Sequence, residues 1–162
     1  MSQPTKEQCD GKKTMSQPTK EQWKEIELQL DALFSPVYLK CDEYYVGFAL
    51  VRNKSKLVIN VYVNGWIKGE WFGVGDKMSE EARRFWRLRT SACFTAKQLK
   101  LYEKIYGKRE CKKKGMYKKR MWPDPMWNRP RPLINHLKKH NQNIEIIDYK
   151  TYKAAIEAMK DE

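Results

Sequence analysis

Hydrophobic rhythm begins at residues 19–34, where Trp23, Ile26, Leu30, Leu33 and Phe34 recur at helical spacing. Thr19, followed by Glu21 and Gln22 and preceded by Pro18, reads as the start of that helix. Ser35-Pro36 ends it, because a residue before proline is pushed out of the α region. From Val37 to Val74 the composition turns β-branched and aromatic, which predicts strands near 37–41, 44–52, 56–63 and 66–74. Asn53-Lys54-Ser55 and Asn64-Gly65 mark hairpin turns, the second more strongly because Asn and Gly both tolerate positive φ. Within 56–63, Leu57, Ile59, Val61 and Val63 alternate with Lys56, Val58, Asn60 and Tyr62. One face is apolar and the other mixed, as in an antiparallel meander laid on a core.

Gly73-Val74-Gly75-Asp76 breaks the strand pattern, and Ser79 with Glu80 and Glu81 caps a helix. Phe85, Leu88, Ala92, Ala96, Leu99 and Tyr106 then share one side of a 3.6-residue repeat. Arg83, Arg87, Lys97, Lys104 and Lys108 share the other. This predicts a long helix over 79–106 that stops at Gly107, with Thr90-Ser91 as the place where it would divide. Residues 107–132 lack periodicity, and Pro123, Pro125, Pro130 and Pro132 favour an extended, polyproline-like path. A short helix at 133–141, a strand at Ile144–Ile147 and a last helix at 150–160 follow, with Tyr152, Ile156 and Met159 on one side. The expected fold class is α+β. An antiparallel β-meander of about four strands is packed on one face by an N-terminal helix, a long central helix and a small C-terminal α-β-α element.

The octapeptide MSQPTKEQ stands at 1–8 and again at 15–22. Only the second copy leads into a helix, and two such copies do not make a repeat architecture. Residues 1–14 are therefore read as a disordered tail, an upstream alternative start or a cloning scar, and 15–162 as one domain. Cys9 then has no structural role.

Composition narrows the class of protein. Hydrophobic residues at 41% supply a real core and exclude wholesale disorder. No apolar run approaches the ~18 residues of a spanning helix, and the polar N-terminus is not a secretory signal, so no membrane partner is expected. Cys9, Cys41, Cys93 and Cys111 form no CxxC, so neither a disulfide scaffold nor a zinc ribbon is indicated. A reduced, cytoplasmic protein is the expectation.

Charge points to a class of partner. The chain carries a net charge of +13, and residues 97–139 hold 15 Lys+Arg against three Asp+Glu. Such crowding raises the local potential and attracts a polyanion. The tract is interleaved with Tyr102, Tyr106, Tyr117, Trp122 and Trp127. Cations release counterions from phosphates, and aromatic faces stack on exposed bases. The expected partner is thus DNA or RNA, bound without catalysis. The candidate phosphate contacts are Lys97, Lys104, Lys108, Arg109, Lys112, Lys113, Lys114, Lys118, Lys119, Arg120, Arg129 and Arg131. Tyr117, Trp122 and Trp127 would stack, although tryptophans equally serve as core plugs. The competing reading is a protein-interaction or inhibitor module, of the kind carried by phage and mobile elements, docking an acidic protein through its Trp/Pro/Arg segment.

Signals for catalysis are few. The chain has no GxxxxGK[ST], GxGxxG or GxSxG, and no cofactor is expected. His136 and His140 share a helical face at i, i+4, but Leu137 stands where an HExxH motif needs glutamate, and Cys111 is a distant third ligand. They read as an exposed pair beside the basic patch. Pro123-Asp124 with Asp148-Tyr149-Lys150 resembles the PD-(D/E)xK nuclease pattern in these residues alone. The resemblance implies two carboxylates on a divalent metal and a lysine that positions water. The plainer reading has Asp124 opening a turn and Asp148 capping the last helix. Cys93 reads as a packed core thiol, and Glu70 as a partly buried strand carboxylate without a partner. No catalytic or metal-binding residue is assigned.

Overall fold

Thr19 opens the first helix with a reciprocal cap. Its hydroxyl accepts the Gln22 amide at 3.2 Å, and Gln22 Oε1 accepts the Thr19 amide at 2.8 Å. The structure, a computed structural model, describes residues 16–162, so the readings of residues 1–14 and Cys9 fall outside the described residues. Helix α1 (Lys20–Leu30) buries Trp23, Ile26 and Leu30. Strands β1 (Val37–Cys41), β2 (Tyr44–Asn53) and β3 (Lys56–Val63) form the expected antiparallel meander, with Leu39 opposite Val46 and Val46 opposite Val63. Period-two alternation puts Val37, Leu39, Cys41, Val46, Phe48, Ile59, Val61 and Val63 into one core with α1.

The expected fourth strand at 66–74 does not form. Asn64 and Gly65 adopt positive φ and turn the chain as expected, but Trp66 makes only a single bridge to Val63. Glycines at 69, 73 and 75 then favour two 3-10 turns, Gly69–Phe72 and Gly75–Lys77. A Cβ at Gly73 would collide with the Lys77 carbonyl, so the bend needs glycine there. The turns place Trp71 and Phe72 against Trp86, with ring centroids 5.6 and 5.1 Å away.

The helix expected over 79–106 is three elements. Ser79 caps α2 (Glu80–Phe85) by accepting the Ala82 amide, and the backbone is already extended at Trp86. Strand β4 (Arg87–Ala92) follows, and a second capping box, Thr95 with Gln98, starts α3 (Ala96–Tyr106). Thr90-Ser91 is weak helix material, and Thr95 offers a ready helix start, so the local signals outweigh the 3.6-residue pattern. The stretch expected to lack regular structure forms helix α4 (Lys108–Lys113) and strand β5 (Lys119–Asp124), the latter carrying Pro123 in extended backbone as ladder rather than as a polyproline path. Pro123 is tolerated because β5 has only one strand partner.

The last part follows the expectation closely. After β6 (Met126–Trp127), Pro130 starts α5 (Pro130–His140), and β7 (Ile144–Ile147) leads to α6 (Tyr149–Lys160). β6 and β7 supply the two outer strands of a five-stranded antiparallel sheet ordered β6-β3-β2-β1-β7. α1, α2 and α5 bury one sheet face. The other is not left bare: the Tyr152 ring of α6 packs tilted against Tyr38, centroids 4.5 Å apart, and a Cβ on Gly47 would lie 3.0 Å from its hydroxyl. The fold is α+β, with helices on both sheet faces. Cys93 is exposed rather than packed, and Glu70 lies exposed on a 3-10 turn, 4.0 Å from Lys68.

Candidate nucleic-acid interface

The chain leaves the main body after Trp86 and returns at Asp124. β4 and β5 run out and back as a two-stranded ribbon, and α3 and α4 join them at the tip. These two helices pack chiefly against each other. α3 has no buried residue and α4 buries only Cys111. Local contacts hold the tip together. Tyr102 meets Phe94 at 5.4 Å and Tyr106 at 6.4 Å, and the Lys114 ammonium sits 3.8 Å from the Tyr106 ring centre. The Tyr117 hydroxyl donates to Glu103 at 2.7 Å, and that hydrogen bond, first among the causes, pushes the phenol up to about 12.

This arm, residues 87–124, carries 13 Lys+Arg and three Asp+Glu. Its eleven cations from Lys97 to Arg120 are all exposed, and among the described residues none lies within ion-pair distance of a carboxylate. Ten of the expected phosphate contacts therefore gather in one module: Lys97, Lys104, Lys108, Arg109, Lys112, Lys113, Lys114, Lys118, Lys119 and Arg120. Lys100 of α3 belongs with them and escaped the sequence reading.

Three expected residues lie elsewhere. Trp127 is 5% exposed in the sheet core, where its Nε1 donates to the Phe85 carbonyl at 3.1 Å. It anchors β6 and cannot stack on a base. Arg131 of α5 is bonded to Glu27 of α1 at 2.7 Å, so its charge is already partnered away from the arm. Arg129 is exposed just before α5 and shares a shallow pocket of about 350 Å³ with Arg87 and Asn128 at the foot of the arm.

The ribbon has two unlike faces. The register Arg87↔Asp124, Arg89↔Trp122 and Ser91↔Arg120 puts these six residues on one face. Leu88, Thr90, Ala92, Lys119, Met121 and Pro123 occupy the other. On the polar face Trp122 is half-buried, with the Arg89 guanidinium 5.9 Å from its ring centre. Asp124 is buried and has both oxygens engaged. Oδ2 accepts from Arg89 at 3.0 Å with Arg87 at 3.8 Å, and Oδ1 accepts the Met126 amide at 2.9 Å. Arg87 and Arg89 in turn share a cleft of about 320 Å³ with Lys54 of the β2–β3 turn and Lys56 at the start of β3. The Arg-x-Arg spacing at 87 and 89 was the available signal for a basic strand face. The helical reading of that segment hid it.

The nuclease-like residues are not assembled. Asp124 locks the foot of the arm, whereas Asp148 caps α6 by accepting the Thr151 amide at 2.8 Å. Bonding to Thr151 holds the Asp148 carboxyl below its ordinary range. Among the described residues no three His, Cys, Asp or Glu side chains are grouped to hold a metal ion. His136 and His140 are indeed neighbours, their rings 4.2 Å apart, but they are partly buried rather than simply exposed. His136 Nε2 lies 3.0 Å from the Arg83 carbonyl, and burial, then His140, pulls its imidazole down to about 4. No described helix is long and apolar enough to cross a membrane. No family model, curated protein or solved structure matches the chain.

Proposed function

We propose that this protein binds nucleic acid through the arm of residues 87–124. The observation that carries the reading is the eleven exposed cations from Lys97 to Arg120, which have no carboxylate partner among the described residues. Cations without a carboxylate partner break no ion pair when they turn toward phosphates. Lysines of α3, α4 and the start of β5 neutralise the backbone, and Arg120 and Trp122 on the polar ribbon face add a guanidinium and a stacking surface. The stem is a two-stranded ribbon, a shape that the major groove of a duplex admits.

The alternative, docking of an acidic protein on the Trp/Pro segment, needs those side chains outside. Burial of Trp127, Pro123, Pro125 and Pro130 favours the nucleic-acid reading instead. The test is fluorescence anisotropy at low salt with labelled single- and double-stranded DNA and RNA. Binding is expected to weaken strongly in the Lys112→Ala, Lys113→Ala, Lys114→Ala triple variant and little in Arg131→Ala. A chain that binds none of the four at low salt contradicts the reading.

A further inference from the structure

The cleft at the foot of the arm has a composition unlike the tip. Lys54, Lys56, Arg87 and Arg89 line it, and among the described residues Asp124 is its only carboxylate. That carboxylate is already satisfied by Arg89 and the Met126 amide. Arg87 is not: its Nε is shielded from solvent and has no hydrogen-bond partner. An N–H shielded from water is costly to leave unpaired. The rest of the guanidinium, in a side chain 24% exposed and 3.8 Å from Asp124, has no hydrogen bond among the described residues for an incoming oxygen to displace. Lys54 sits at φ 56 in the β2–β3 turn, a backbone state that favours Gly or Asn. The turn is braced by Arg52 Nε donating to the Lys54 carbonyl at 3.2 Å. Lys54 nonetheless holds that state and lines the cleft, where a cheaper turn residue would supply no charge.

We propose that this cleft binds a phosphomonoester group. Four cations against one neutralised carboxylate leave an excess that suits a dianion better than the single charge of a phosphodiester. At about 320 Å³ the cleft lies at the small end of ligand sites, with room for one phosphate and its sugar. Arg89 belongs to both the cleft and the polar ribbon face, so a strand ending at Arg87 would continue past Trp122 toward Arg120. A strand end as the source of the phosphate rests on the nucleic-acid reading. The cleft does not, because a free nucleoside monophosphate offers the same group.

The experiment uses the full chain in two arms. In the first, Arg Nε–Hε NMR signals follow titration with a nucleoside 5′-monophosphate. In the second, anisotropy compares one short single-stranded oligonucleotide with a 5′-phosphate, a 3′-phosphate or hydroxyl ends. The Arg87 signal is expected to shift, and one phosphorylated end to bind about tenfold tighter than the hydroxyl form, the worth of about one charge-assisted hydrogen bond. Lys54→Ala with Lys56→Ala, both exposed at the β2–β3 hairpin, is expected to bring that preference to within about twofold while weakening the hydroxyl form much less than the phosphorylated one. The Lys112/113/114 triple variant is expected to weaken all three forms alike. A nucleotide shift without binding of any oligonucleotide supports the cleft and removes the nucleic-acid reading. Equal binding of the three forms with an unmoved Arg87 signal overturns the proposal. So does a preference that survives both the Lys54/Lys56 variant and Arg87→Lys.

Discussion

The body and the arm of this molecule are stabilised in different ways. The body buries Phe48, Phe85, Trp86, Leu133 and Leu137 almost completely, between a five-stranded sheet and its helices. Each such side chain contributes about 1.5–3 kcal/mol by leaving water. The arm has a six-pair ribbon, one capping box, a run of aromatic contacts and Cys111 as its buried helical residue. Its lysines also repel one another. A segment with so little burial and so much like charge is held at the low end of local stability. A bound polyanion would relieve that repulsion and order the arm, whereas the body holds itself together by burial alone.

The contrast breaks first at Trp127. If this residue is a body anchor, Trp127→Ala costs about 3–5 kcal/mol in urea unfolding and leaves the arm's affinity intact where the protein remains folded. A loss of affinity with little change in stability would return it to the interface. Asp124 joins the two regions. Asp124→Asn leaves Arg87 and Arg89 facing each other and is expected to cost about 1–3 kcal/mol, seen as faster amide exchange in β4 and β5 than in β1–β3. Uniform exchange across both sheets would show that the arm has no independent opening.

The third test is acid. The folded His136 takes its proton only near pH 4, whereas the unfolded chain takes it near the ordinary value of 6.5. The unfolded state binds more protons between those values, so this group's stabilisation is present above pH 6.5 and is lost as pH falls toward 4. Partial solvent exposure limits the effect to about 1–2 kcal/mol, read as the stability difference from His136→Gln across that window. An identical pH dependence in the variant would remove His136 as the cause. The smallest effect belongs to the tip. Replacing Lys112, Lys113 and Lys114 with alanine should change global stability by no more than about 0.5 kcal/mol in thermal unfolding, since all three are exposed. A larger loss would mean that the tip is part of the body's cooperative unit.

What was legible follows the same division. Helix α1, strands β1–β3 and helix α5 were readable because each buries one periodic face, and burial writes that period into the residues. β7 showed as a short apolar run, and α6 through the spacing of Tyr152 and Ile156, which are half-buried. The arm buries little, so its residues answer to no such constraint. Leu88, Ala92, Ala96 and Leu99 fell by chance on a helical repeat, while the Thr95–Gln98 box, a visible local signal, marked the true helix start. The run at 66–74 looked like a strand by composition, but its two glycines and Gly75 just beyond it made turns. The cations of the candidate site were readable by counting alone. The cleft was not, because it joins the β2–β3 turn to β4 through tertiary packing that no local pattern records.

The most direct measurement of the central claim is the salt dependence of binding to one oligonucleotide, compared between the natural chain and the Lys112/113/114 triple variant. If the arm neutralises phosphates, affinity of the natural chain falls by about 10³-fold or more between 50 and 200 mM salt, and the log–log slope of the variant is smaller by about three. Equal slopes in the two proteins, or an affinity indifferent to salt, would contradict the account.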